Sequence, residues 1–237
     1  MDLLKVNPIS YYKYLLIGDS FLDFYFDDKI KVFYGGVLNV QKNIEIISSN
    51  KFELKTSQKP KCLNFFKKNK KIFSKINSKE IINNETIFTK VTTISDYNKG
   101  FLHNNVKVHA RILIVDSKYC SLLRDYIVHA KIKILKLAST DVFNTEFIEL
   151  FDYLIVTYST HVNLFHKGNL IYSCKVKNNL PICTIGAGDV FVASLTSYLY
   201  NCFKQFQLSD LISAIDFATH YASESVATSF TCRIKEI

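Results

Sequence analysis

Short apolar runs recur along the chain, and each is closed by a polar residue or a glycine. Tyr14-Leu15-Leu16-Ile17 runs into Gly18-Asp19 and reads as a buried strand that stops at a turn. Residues 30–34 alternate and predict a second strand. Gly35-Gly36 follow, and then Val40, Ile44 and Ile47 return at helical spacing, which predicts a helix over 37–47. The β-branched stretch 86–94 predicts a strand that ends in the polar loop Ser95-Asp96-Tyr97-Asn98-Lys99-Gly100. Residues 111–115, closed by Asp116, and the stretches 132–137 and 153–157 predict further strands, with helices over 122–130 and 145–151. The Lys-, Asn- and Ser-rich stretch 50–84 predicts one amphipathic helix around 63–76 with loops on both sides.

Strands that alternate with helices predict an α/β fold: a mostly parallel central sheet with helices on both faces, three layers in all. No internal repeat and no second domain are apparent, so residues 1–237 read as a single domain. In such a sheet the ligand sits at the carboxyl ends of the strands, where the polar strand ends gather.

Composition narrows the picture. Hydrophobic residues make up 48% and charged residues 22% of the 237, with only 7 Gly and 3 Pro, which excludes a disordered or collagen-like chain. The net charge of +9 comes mostly from scattered Lys residues, so nucleic acid is not the expected partner; the one dense stretch, Lys67-Lys68-Asn69-Lys70-Lys71, reads as a solvated helix face. The 6 Cys form no C-x-x-C pair and no zinc-finger spacing. No signal peptide and no apolar run of bilayer length are apparent, so the expectation is a cytoplasmic protein with no membrane partner and no disulfide framework.

The chemistry concentrates in Pro181-Ile182-Cys183-Thr184-Ile185-Gly186-Ala187-Gly188-Asp189 and the apolar helix pattern that follows. A small-residue turn opens directly into a buried helix, whose first N–H groups lack intrahelical partners and carry partial positive charge. Such a turn suits an anion approaching the main chain, and a carboxylate beside it suits removal of a proton from an alcohol that attacks a phosphate. The same residues also fit a plain turn with a capping Asp189, and the rest of the chain decides between the two.

T-I-G-A-G-D-V-F, residues 184–191, resembles the signature of the ribokinase-like carbohydrate kinases, the PfkB family. Other segments fall in the matching order. L-L-I-G-D-S-F-L-D (15–23) resembles the first strand of the family with its sugar-binding aspartate, and G-G-V-L-N-V-Q-K-N-I (35–44) its Gly-Gly…Asn motif. I-S-D-Y-N-K-G-F-L (94–102) and I-V-D-S-K (114–118) are similar to segments of the bacterial D-glycero-beta-D-manno-heptose-7-phosphate kinases. The resemblance implies ATP-dependent phosphorylation of a sugar or sugar phosphate, with Mg and ATP as cofactors. It implies Asp189 as catalytic base and the amides of Gly186, Ala187 and Gly188 as anion hole. Asp23, Gly35, Gly36 and Asn39 would hold sugar hydroxyls, Lys99 a phosphate on the sugar, and Thr157, Ser159 and Thr184 would lie toward the nucleotide.

The chain also departs from the family pattern. Cys183 stands where an Asp usually precedes the signature Thr; Ser159 and Val162 replace two nucleotide-side glycines. Ala138 and Asp141 stand in place of the Asn and Glu of an N-x-x-E segment bearing on metal, Thr219 stands where an Asn is frequent, and Phe230 where a Gly is usual. Only eleven residues separate Asp23 from Gly35, where relatives place a β-lid over the sugar, so the lid is expected to be reduced or absent, and with it the dimer that lids often make. The alternative on these departures is a catalytically weakened protein that binds sugar or nucleotide.

Overall fold

The structure is a computed structural model that describes residues 9–27, 29–48, 52–56, 62–68, 70–76, 85–97, 106–117, 129–141, 145–177, 181–227 and 234. The expected helix over 122–130 lies outside these residues except at its last two positions, and Lys99 and Phe230 lie outside them as well.

Eight strands form the central sheet in the order β12-β11-β10-β9-β8-β7-β1-β4. They are β1 (Ile9–Gly18), β4 (Glu53–Lys55), β7 (Glu85–Asp96), β8 (Val106–Ser117), β9 (Ala130–Ala138), β10 (Tyr153–Thr157), β11 (His161–His166) and β12 (Asn169–Lys175). From β4 through β10 every pairing is parallel; β11 and β12 add an antiparallel edge. The period of two sorts the strand side chains onto two faces. Leu16, Ile112, Ile114, Ile134 and Ile155 pack against α1 (Val37–Ile47), α3 (Ala187–Cys202) and α4 (Leu208–Ser225). Leu15, Ile17, Leu113, Val115 and Leu135 face the opposite way, toward Phe147 of the short helix α2 (Thr145–Ile148) and Phe151 just beyond it. Each fully buried aliphatic side chain contributes roughly 1.5–3 kcal/mol relative to exposure, so both faces of the sheet are anchored.

Two sequence expectations fail together. The stretch expected to be a helix around 63–76 is a hairpin, β5 (Cys62–Lys67) and β6 (Lys70–Ile76). It joins β2 (Ser20–Phe26) and β3 (Ile30–Gly36) in a second, four-stranded sheet of order β3-β2-β5-β6. The lid expected to be reduced or absent is therefore present as a sheet, in part built from that stretch. The cause is a mixed pattern. In register, Asp23 pairs with Asn64 and Tyr25 with Phe66 on the covered face, and Phe24 with Phe65 on the open one, so aromatic side chains lie on both faces and polar ones are buried among them. A stretch whose two faces both carry apolar side chains, interrupted by the lysines at 67, 68, 70 and 71, imitates the spacing of an amphipathic helix.

Candidate active site

Parallel register lines up the ends of the central strands. Gly18 on β1 pairs with Ser95 on β7, Ser95 with Asp116 on β8, and Asp116 with Lys136 on β9. Asp116 and Lys136 continue the even-numbered rows of Ile112, Ile114 and Ile134, so they project toward the helix layer. There the Lys136 ammonium donates to Asp116 Oδ1 at 3.0 Å, and both side chains are buried.

The turn before α3 sits over this row. Gly186, at φ 84, caps the helix in the left-handed region that favours glycine. Val190 N–H donates to the Gly186 carbonyl at 3.0 Å and Ala187 N–H to that of Thr184 at 3.2 Å. The Ala187 amide is thus already used within the turn. No hydrogen bond among the described residues takes the N–H of Gly186 or Gly188. A Cβ on Gly188 would lie 3.1 Å from Lys136 Nζ, so glycine at this position lets the ammonium touch the first turn of the helix.

Asp189, 5% exposed, is held from two directions. Asn39 on α1 donates to its Oδ2 at 2.9 Å, and the Tyr97 hydroxyl, from the end of β7, donates to its Oδ1. Tyr97 is itself fixed by its backbone N–H, which donates to Asp19 Oδ2 at 2.9 Å. Burial pushes the Asp189 carboxyl up from 3.8 to about 6, helped by nearby Asp116; the Tyr97 and Asn39 hydrogen bonds and the Lys136 charge pull it the other way. Burial first, then the Asp189 and Asp116 charges, hold the Tyr97 hydroxyl well above its usual range, so it stays a donor.

The lid closes the other side. Asn64 donates to Asp23 Oδ1 at 2.8 Å, and Ser74 donates to Asn64 Oδ1 at 3.0 Å. Gly35 and Gly36 connect lid and helix α1. A Cβ on Gly35 would lie 2.3 Å from the Phe21 ring and 3.1 Å from Asp23 Oδ2, so this glycine makes room for the two lid side chains. Between lid, strand ends and α3 lies a cleft of about 620 Å³, lined by Asp23, Asn64, Lys71, Tyr97, Asp116, Lys136, Asp141, Thr184, Gly186, Gly188 and Asp189 among others.

The structure thus brings together Asp189, Gly186, Gly188, Thr184 and Asp23 around one cleft, with Asn39 behind the carboxylate. It does not bring Thr157 and Ser159 to the lining; Thr157 ends β10 beside Ala138, and Ser159 lies in the turn that follows. Lys71, read from the sequence as part of a solvated helix face, lines the cleft from strand β6. Sequence reading also missed Tyr97, Asn64 and Lys136 as members of the site. Tyr97 carried a signal as part of the polar strand end 95–100, and Lys136 as the one charge inside the apolar run Ile134-Leu135-Lys136-Leu137; Asn64 carried none.

No protein-family model matches the sequence, and no curated protein matches it. Solved structures do match. The fold is ribokinase-like. Ribokinase from Thermotoga maritima superposes with a TM-score of 0.62 at 14% identity, covering 92% of this chain and 94% of that one. Fructokinase from Vibrio cholerae O395, bound to fructose, ADP and calcium, gives 0.61 at 11% identity over 92% and 94%. A pyrophosphate-dependent kinase in the ribokinase family, bound to a pyrophosphate analog and myo-inositol, gives 0.56 at 13% identity over 94% and 98%. Identities this low establish a shared fold.

Proposed function

We propose that the protein transfers the terminal phosphoryl group of ATP to a hydroxyl of a sugar or sugar phosphate, a heptose-7-phosphate-like acceptor fitting the sequence resemblance. The observation that carries this reading is a buried carboxylate, Asp189, with its pKa raised to about 6, beside two amides that have no partner among the described residues at the start of a helix, in one cleft with the polar Asp23–Asn64 pair. Asp189 is the general base on the acceptor hydroxyl, since a carboxyl at about 6 is ionised at pH 7 yet still basic enough to take a proton. Tyr97 and Asn39 fix its two oxygens. The Gly186 and Gly188 amides face charge that develops on the phosphoryl oxygens. Asp23 and Asn64 offer acceptor and donor atoms to sugar hydroxyls, and the lid excludes water from the contact. The fructose and ADP in the fructokinase structure support a sugar and a nucleotide as the two ligands.

Among the described residues no group of three or more His, Cys, Asp or Glu could hold a metal ion. The cleft carboxylates Asp116 and Asp141 nevertheless fit an Mg²⁺ carried in on phosphates, which takes only one or two carboxylates from a protein and neutralises donor charge. Asp141 is held there by Ala138 N–H, which donates to its Oδ2 at 2.7 Å.

One observation favours the weakened alternative. Val162, in place of a nucleotide-side glycine, is 2% exposed and paired within β11, a core position closed to phosphate. A panel of sugar phosphates with Mg-ATP, read by ADP release, separates the two readings. The kinase shows acceptor-dependent release that falls about 10²–10⁴-fold in Asp189→Asn while the fold persists. Binding without turnover, indifferent to that substitution, selects the alternative.

A further inference from the structure

We propose that Lys136 is a catalytic residue of this site, its ammonium meeting the oxygens of the transferred phosphoryl group. The inference rests on the phosphoryl-transfer reading above and adds to it the cation that the sequence motifs do not supply. Three observations carry it.

Lys136 is 4% exposed, yet it lines the cleft beside Gly186, Gly188 and Asp189. A lysine so placed needs a reason, because a buried ion pair is commonly no more stable than apolar residues of the same volume. Second, the ammonium reaches the helix start. The 3.1 Å approach to the Cβ position of Gly188 puts it beside the Gly186 and Gly188 N–H groups that no described residue takes up. Amides and ammonium converge on one place from the helix and from the sheet. Third, among the described residues the ammonium has a single hydrogen-bond partner, Asp116, so two of its three N–H donors are open to a ligand there.

The charge arrangement points the same way. Asp116 and Asp189 both flank the cleft, and an incoming phosphoryl oxygen would meet two carboxylates. Lys136 stands among them as a fixed positive charge in a place with little water, where such a charge acts most strongly. In the transfer, the acceptor oxygen bonds to phosphorus and its proton passes to Asp189. The bond from phosphorus to the donor's bridging oxygen breaks, and its electron pair leaves with the donor. Lys136 gives up no proton; it steadies the negative oxygens throughout.

Inorganic phosphate is the probe, because its binding needs no turnover. In the full chain, Lys136→Met together with Asp116→Asn removes the buried ion pair as a unit, and Asp189 keeps its Tyr97 and Asn39 hydrogen bonds. The dissociation constant for phosphate, measured by calorimetry, should rise at least about tenfold in this folded double variant. In wild-type protein carrying ¹⁵N-lysine, phosphate should shift the Lys136 ammonium resonance, a readout that holds whether or not the variant folds. Unchanged phosphate affinity in the folded double variant, no saturable phosphate binding by the wild type, or a Lys136 resonance unmoved at saturation each overturns the inference. Phosphate binding that depends on Lys136 in a protein that phosphorylates no sugar would overturn the kinase reading and leave this one standing.

Discussion

Asp189 gives stability and catalysis opposite dependences on pH. Its folded pKa of about 6 lies above the ordinary 3.8, so the folded state holds the proton more tightly than the unfolded chain does. Below pH 4 both states are protonated and burial of the group is not penalised. As pH rises through 6 the folded protein must bury a charge, and stability of up to about 3 kcal/mol is lost. Asp189→Asn should therefore melt above wild type at pH 8, with the gap closing as pH falls to 4; a gap that does not change with pH would contradict the burial argument. Catalysis runs the other way, since the base acts only when ionised, and kcat should fall on the acid side of pH 6. Tyr97→Phe removes a hydrogen bond that favours the ionised carboxylate, so the acid limb of that profile should move to higher pH. An acid limb that stays in place would show that Tyr97 does not tune the base. The sequence shows Asp189 and its glycines because turn, glycine and helix start are local. Tyr97 meets the carboxylate across 92 positions of chain, and no local pattern encodes that meeting.

Strands and helices read well from the sequence where one face is dry. The runs ending at Gly18, Asp116 and Thr157 are strands with buried, aliphatic faces, and Gly36 and Gly186 each cap the helix that follows. The hairpin β5–β6 did not, because its covered face carries Asn64 and Ser74 beside Phe66 while Phe65 and Phe73 look outward, so neither face is uniformly apolar or polar. Register, not composition, sorts those faces, and register is set by the partner strand β2. The junction of the two sheets gives a test at this scale. Gly36 ends β3 and caps α1 at φ 62, and a Cβ there would lie 2.3 Å from the Asp19 carbonyl oxygen, which accepts Val37 N–H at 2.9 Å. Gly36→Ala should cost at least about 1–3 kcal/mol from backbone strain, seen as a lower denaturation midpoint. Because α1 carries Asn39, the same variant should also lose activity under conditions where it remains folded. A stable and fully active Gly36→Ala protein would show that the junction does not position Asn39.

At the scale of the whole molecule, the lid sheet poses a problem of exposed surface. Its inner face meets the cleft, but the middle of its outer face is apolar: Leu22 pairs with Tyr34, Phe24 with Val32 and with Phe65, Phe26 with Ile30, and Phe65 with Phe73, while Lys75 opposite Leu63 and the Lys67–Lys70 pair stand at the edge of the sheet. Phe24 stacks on Phe65 at 5.3 Å between ring centroids, and the rim is open, with Ile30 67% and Phe73 58% exposed. A contiguous apolar patch on a sheet is unusual for a lone soluble chain and marks an interaction surface. A second copy of this chain is the occupant that suits it. A two-fold axis sets the same patch against itself, and its aromatic and aliphatic centre is complementary to its own image, with the lysines of β5 and β6 left at the edge. The expectation from sequence, that a missing lid removes a lid-made dimer, loses its premise because the lid is there. Light scattering on the full chain should give a mass near twice 27.3 kDa. Phe65→Glu puts a charge at the centre of the face and should return the mass to that of one chain, with the central sheet still folded. A wild type that remains a single chain at high concentration, or a Phe65→Glu protein of undiminished mass, would rule out this face as the contact.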